Sequence, residues 1–170
     1  LDSSAASDVY KRQNLIKVNV ANYDQMARLM EGADHVISLV GILHETKGNT
    51  FETVQAKGPM LVGKIAREKN VRSLVHVSAI GADVNSKSLY ASSKGLGETY
   101  IRDEFEKTVI LRPSIIFGPD DNFFNRFANL AAFAPFLPLI GGGTTKFQPV
   151  YVQDVASAIM VALELSLIHI

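Results

Sequence analysis

Tyr90 and Lys94 are the residues whose type and spacing could do chemistry. They stand four apart in Ser88-Leu89-Tyr90-Ala91-Ser92-Ser93-Lys94-Gly95-Leu96-Gly97-Glu98. On a helix that spacing stacks both side chains on one face. A phenol ionises near pH 10 and is a poor acid or base at neutrality. An ammonium fixed beside it favours the phenolate and brings it nearer the range useful for proton transfer. Twelve positions upstream, Ser78 closes the apolar run Leu74-Val75-His76-Val77-Ser78. If that run is a strand, its C-terminal end is where an α/β sheet gathers ligand-contacting groups. Tyr-x-x-x-Lys alone recurs by chance. It gains weight here from the serine-ended strand before it and from Ile110-Leu111-Arg112-Pro113-Ser114 after it.

The elements that must position these groups follow from pattern. Leu15–Val20 is rich in β-branched residues and reads as a strand. Asn22 with Gln25 reads as a capping box for a helix through Met30, with Gly32 as its C-cap. His35–Gly41 is a nearly continuous apolar run, as in a strand buried on both faces. Asn49 with Glu52 predicts a second capping box, opening a helix whose apolar face is Phe51, Val54, Leu61, Val62 and Ile65. Gly58-Pro59 should kink that helix and Asn70 end it. Arg72–Ser78 is the next strand. A helix from Tyr90 to about Phe105 follows, then a strand from Thr108 through Pro113. Phe123, Phe124, Phe127, Leu130 and Phe133 form an aromatic helical stripe, read as core or lid packing or as the wall of an apolar cleft. Gly141–Lys146 departs from the P-loop spacing and reads as a turn before a strand at Phe147–Val152. Asp154 caps a last helix, Val155–Leu165. Strands alternating with helices predict a doubly wound α/β fold with a parallel sheet.

Bulk properties narrow the function. The chain has 170 residues, 47% hydrophobic and 20% charged, enough for one domain with a sizeable core. Lys plus Arg and Asp plus Glu are both 17, which leaves no electrostatic footprint for nucleic acid. Zero cysteines exclude a disulfide scaffold and thiolate metal sites. His35, His44 and His76 show no metal-ligand spacing, and His76 reads as structural. The apolar run Leu130–Ile140 is about half a membrane span and holds two prolines, so no transmembrane segment is expected. Residues 1–13 and 166–170 lack periodicity, resemble translated sequencing adaptor and are expected to be non-native.

Taken together, several segments resemble the extended, atypical short-chain dehydrogenases/reductases. They are His76-Val77-Ser78-Ala79-Ile80-Gly81-Ala82, Tyr90-Ala91-Ser92-Ser93-Lys94, Leu111-Arg112-Pro113 through Pro119, and Phe147-Gln148-Pro149 through Ala156. Asp120–Phe127 is similar to the pattern of one subgroup, the NAD(P)-binding accessory subunits of respiratory complex I and their bacterial relatives. The resemblance implies a truncated Rossmann-type sheet, with residues 14–119 as a partial NAD(P)-binding domain and 120–165 as the start of a substrate or lid region. It implies Tyr90 as the acid/base, Lys94 as holder of the nicotinamide ribose that also lowers the Tyr90 pKa, and Ser78 as partner of the reacting oxygen. It places Asn19 and Val20 near adenine, Leu39, Val40 and Gly41 along the central cofactor channel, and Pro113, Ser114 and Ile115 at the nicotinamide carboxamide.

Two departures accompany the resemblance. Ser78 is followed by Ala79 where relatives often carry a Ser-Ser pair farther from the tyrosine. The glycine-rich turn G-x-x-G-x-x-G, which cradles pyrophosphate at a helix N-terminus, occurs nowhere in the chain. In the family strand order 3-2-1-4-5-6, Leu15–Val20 takes place 3 and His35–Val40 place 4. The expectation is therefore that residues 15–20 lack their native neighbour or pair non-natively, and that cofactor affinity is weakened. The implied cofactor is NAD or NADP, and the implied partners are that dinucleotide and complex I subunits. Location would be the cytoplasm or the cytoplasmic side of the membrane in a bacterium, or the matrix side in a mitochondrion. The readings carried forward are a nucleotide-binding accessory subunit, an active oxidoreductase on a small or lipid-like carbonyl or alcohol, and a nucleotide-sugar epimerase or dehydratase.

Overall fold

β2 (Ser73–Val77) is the strand on which the rest is laid, and it is buried on both sides. In the computed structural model, which describes residues 13–121, 123–133 and 140–165, it lies between β1 (His35–Ser38) and β3 (Val109–Leu111). All pairings are parallel, in the order β1-β2-β3, with Ser38 opposite His76 and Val77 opposite Leu111. Parallel neighbours need crossover helices, and the chain supplies them. A π-helical turn, Glu52–Lys57, runs into one crossover helix, Gly58–Glu68; a second helix, Leu89–Glu104, joins β2 to β3. With the first helix, Tyr23–Leu29, these are α1, α2 (Gly58–Glu68) and α3 (Leu89–Glu104).

The alternation of β2 sorts the core into two layers. Leu74 packs with Ile65 and Ala66 of α2, Ile101 of α3 and Met26 of α1. Val75, facing the other way, packs with Ile159, Ala162 and Leu163 of a C-terminal helix, Val152–Leu165. A second parallel pair, β4 (Ile116–Phe117) with β5 (Val150–Tyr151), continues from the end of β3. Between its strands lies the aromatic helix α4 (Phe124–Phe133), and Val152–Leu165 is α5.

Local signals account for most boundaries. Asn22 Oδ1 accepts the Gln25 amide at 3.0 Å, while Gln25 Oε1 reaches back to the Asn19 amide at 2.8 Å rather than to Asn22. The opening of the second helical stretch is corrected by one residue. Thr50 and Thr53, not Asn49 and Glu52, exchange amide-to-hydroxyl hydrogen bonds at 3.1 and 3.0 Å. Ser88 Oγ caps α3 by accepting the Ala91 amide. Asn70, at φ 55°, ends the α2 connection.

The expected strand at Leu15–Val20 is absent, because residues 13–19 run without sheet pairing. Val18 and Val20 still pack on the α1–α2 core, so hydrophobicity anchors the segment without a ladder. β1 also ends at Ser38, earlier than the apolar run suggested, and the strand expected at Phe147–Val152 shrinks to Val150–Tyr151. Asp154 sits inside the first turn of α5 rather than at its cap. The expectations for residues 1–12 and 166–170, and for part of the Leu130–Ile140 run, fall outside the described residues.

Candidate functional site at the C-terminal ends of the central strands

The site is built where α3 crosses the ends of β1 and β2. Along α3, Tyr90, Lys94, Glu98 and Ile101 follow one another at helical spacing. Ile101 is fully buried against Leu74, which pins this stripe to the sheet. The Lys94 side chain is therefore drawn inward. It is 4% exposed, and its Nζ donates to the Val77 carbonyl at 3.0 Å. Burial lowers its pKa, and the nearby Glu98 charge works in the opposite direction.

Gly41 lies just beyond the end of β1. A Cβ there would meet Gln55 Oε1 at 3.4 Å and Lys94 Nζ at 3.8 Å. The ammonium thus stands between the ends of the two strands, beside a residue with no side chain.

Gln55, which the sequence reading did not single out, joins these parts. It is 1% exposed, and its Oε1 accepts the Ile42 amide at 3.3 Å. Its Nε2 donates to Ser93 Oγ at 3.0 Å, and Ser93 Oγ donates to the Tyr90 carbonyl at 2.9 Å. One amide ties the Gly41–Ile42 turn to the helix carrying Tyr90 and Lys94. The signal was a glutamine set among apolar residues four positions before Pro59, where the ring brings no N–H to the Gln55 carbonyl. Gly97 lets that carbonyl approach α3, since a Cβ at 97 would collide with it.

Tyr90 is half-buried and stands edge-on to Phe51, ring centroids 6.1 Å apart. Burial raises its pKa. That burial works against the lowering expected from Lys94, whose ammonium donates to Val77 O.

Ser78 continues the ladder, its amide donating to Leu111 O at 2.7 Å, but its Oγ is buried and has no hydrogen-bond partner. Behind it, Glu98 accepts Arg112 Nε on both oxygens, at 2.9 and 3.1 Å, and Arg112 Nη2 on one. Burial would raise the Glu98 carboxyl, but Arg112 and the adjacent Ser78 hydroxyl together hold it below the usual range. That hydroxyl is near enough to favour the charge without meeting hydrogen-bond geometry.

The remaining expected residues divide. Leu39 and Val40, just past the end of β1, are exposed at 62% and 42%. Val20 and Val40 line one apolar groove of about 190 Å³. Asn19 stands apart, its Oδ1 folded back onto the Ala21 amide at 2.9 Å. Pro113 and Ile115 are half-buried, with carbonyls already taken by the Ile80 and Val150 amides. Ser114 lies between them. A larger polar hollow of about 560 Å³ includes Glu98 and Arg112 but neither Tyr90 nor Lys94. Among the described residues, no three His, Cys, Asp or Glu gather as a metal site.

These features fit the nicotinamide-ribose half of a dinucleotide. Lys94 Nζ and Gly41 leave close access at the strand ends, and Tyr90 stands on the same helix. When bound, such a group supplies hydride chemistry, and the residues named would hold its ribose and orient its ring.

Comparison with known proteins agrees. The sequence model of the NAD dependent epimerase/dehydratase family matches residues 1–167. The chain is 35% identical over 150 residues to a mitochondrial NADH dehydrogenase [ubiquinone] 1 alpha subcomplex subunit 9 from Arabidopsis thaliana, covering 88% of this chain and 37% of that one. It is 31% identical over 133 residues to a ceramide reductase from Caulobacter vibrioides, covering 78% and 41% respectively. The chain thus spans less than half the length of these relatives. In fold it is similar to UDP-glucuronic acid 4-epimerase from Bacillus cereus, solved with UDP-glucuronic acid and NAD. The TM-score is 0.75 at 20% identity, covering 95% of this chain and 60% of that one. With the family model spanning nearly the whole sequence and the Tyr90–Lys94 mouth assembled on a parallel sheet, the chain belongs to the NAD dependent epimerase/dehydratase family, whose cofactor is a nicotinamide dinucleotide.

Proposed function

We propose that this chain is the nicotinamide-side part of an NAD(P)-binding accessory subunit related to those of NADH:ubiquinone oxidoreductase. The observation that carries the reading is the Lys94 ammonium, held at 3.0 Å from Val77 O beside Gly41. Such a group suits a ribose hydroxyl and needs no turnover to be useful. The relative from Arabidopsis thaliana supports the assembly. So does the Asp120–Phe127 segment, where Asp121 Oδ1 accepts the Phe123 amide at 2.9 Å and orders the entry to α4. In this reading Asn19, Val20, Leu39, Val40, Gly41, Pro113, Ser114 and Ile115 contact the dinucleotide. Residues 120–165 begin the region that meets substrate or partner. The protein sits beside the membrane, on the cytoplasmic side in a bacterium or the matrix side in a mitochondrion. Among the described residues no helix is long and apolar enough to cross one.

The ceramide reductase relative favours a second reading, reduction of a lipid-like carbonyl. Tyr90 would then give its phenolic proton to the carbonyl oxygen, while the Ser78 hydroxyl, buried beside Glu98, would have to turn outward to meet that oxygen. The nucleotide-sugar reading has fold similarity alone behind it. Substituting Tyr90→Phe in the full-length protein separates the first two. Turnover lost while the respiratory assembly persists identifies an enzyme; no turnover in either form identifies a binding subunit. NADPH titration of the 170-residue chain tests the dependence on the glycine-rich turn. Affinity well weaker than micromolar is expected, and micromolar binding would refute that dependence.

A further inference from the structure

We propose that His76 Nε2, Ser78 Oγ and the Glu98 carboxylate enclose a binding site for one buried water molecule, between β2 and α3 and one helical turn from Lys94. Leu74, His76 and Ser78 alternate onto the same face of β2, and α3 presents Ile101, Glu98 and Lys94 to it. Leu74 against Ile101 closes one end with apolar contact. Beyond that contact every facing side chain is polar and buried: His76 at 0% exposure, Ser78 at 6%, Lys94 at 4% and Glu98 at 6%.

Two atoms in this patch are orphaned. Among the described residues, His76 Nε2 and Ser78 Oγ are the buried side-chain polar atoms without a hydrogen-bond partner. Buried polar atoms in folded proteins are satisfied by protein or by ordered water. The two residues sit two apart on one strand, roughly 7 Å along it, and both face Glu98, whose charge acts on the His76 ring and whose carboxyl feels the Ser78 hydroxyl.

The donor count selects water over other occupants. His76 Nδ1 lies 3.1 Å from Ser38 Oγ. The Ser38 backbone also acts on the ring, so the tautomer turns on which group donates at Nδ1; with the Ser38 hydroxyl as donor, Nε2 carries the ring proton and needs an acceptor. An ionised carboxylate offers about four acceptor positions, and Arg112 uses only part of those on Glu98. A water accepting from Nε2–H and donating to Glu98 satisfies both, with the Ser78 hydroxyl as its third partner. Three bonds are usual for an internal water. A cation is disfavoured by the Lys94 ammonium, whose charge already acts on His76. An apolar occupant would leave the orphans as they are. Through this water Glu98 becomes a positioning residue, held by Arg112 on one side and by the centre of the sheet on the other, with its charge directed at Lys94.

This site does not depend on the nucleotide reading, and its test uses no nucleotide. A high-resolution crystal structure of the protein is expected to show ordered density within hydrogen-bond distance of both His76 Nε2 and Ser78 Oγ in every copy. The imidazole nitrogen shifts of His76 should report the Nε2–H tautomer. Ser78→Ala should lose the water or leave it partly occupied while keeping the fold, and Glu98→Gln should lower the Lys94 pKa further, read from its side-chain carbon shifts. Direct contact of Nε2 with Glu98 and no intervening density would overturn the proposal, as would the Nδ1–H tautomer or an unmoved Lys94 titration.

Discussion

The contact of the π-helical turn with α3 and the outer side of β1 with the turn beyond it flank the same site, yet they are closed to very different degrees. At the first, backbone meets backbone: the Gln55 carbonyl lies against Gly97, and Gln55, Ser93 and Lys94 are all buried. At the second, Ile37, Leu39, Val40 and Leu43 are exposed at 43%, 62%, 42% and 83%, and among the described residues no strand pairs on that side of β1. The difference shows what the site depends on. Lys94, Gln55 and Ser93 are set by helix packing, and they stand in place although the outer side of β1 is open.

The sharpest way to break this contrast is Gly97→Ala. The added methyl would run into backbone that cannot swing aside, at a cost of about 3 kcal/mol in chemical denaturation. A near-neutral result would mean that the two helices are not in close contact. Acid should strike the same region next. Burial, followed by the Lys94 charge, lowers the His76 pKa to about 4. A histidine held neutral in the folded state contributes stability that is complete above its unfolded value of about 6.5 and lost as pH falls toward 4, amounting to roughly 3 kcal/mol. Glu98, whose carboxyl is held low, adds loss as pH falls below the ordinary carboxylate range. Denaturation curves from pH 7 to pH 4 should show this slope, and His76→Phe should flatten it. An unchanged slope would place the acid sensitivity elsewhere.

Gln55→Leu should cost about 1–2 kcal/mol by leaving the Ile42 amide and Ser93 without their partner, and should speed hydrogen exchange at Ile42. Slow exchange in the variant would show that the turn is held by something else. The smallest effect belongs to the open edge. Leu39→Ser should stay within about 0.5 kcal/mol, and a larger loss would mean that this edge is covered.

Much of this could be read from the sequence where the signal is local. Asn22 and Ser88 announce their helices through side-chain oxygens, and β2 through its largely apolar, β-branched run. Tyr90 and Lys94 fall on one face because helical spacing demands it. Residues 15–20 were misread because a strand exists only with a neighbour to pair with, and their β-branched composition says nothing of whether one is present. The surroundings of Tyr90 were hidden for a related reason. Spacing puts the ammonium and the phenol on one helix face, but only the fold shows that Lys94 Nζ donates to Val77 O and that burial acts on the phenol. Gln55 stayed hidden because its role depends on Ser93 and Ile42, 38 and 13 residues away.

The π-helical turn at Glu52–Lys57 carries a last consequence. Its i→i+5 bond, Gly58 amide to Thr53 carbonyl, accommodates one residue more than a regular turn would. Each residue rotates a helix by about 100°. Deleting one residue here would therefore leave the chain able to wind a more regular helix, but with Phe51 and Gln55 swung about a quarter-turn relative to Val62 and Ile65. The same stretch could then serve the hydrophobic interior or the Gly41–Lys94 site, but not both. That supernumerary residue lets a single crossover face two ways.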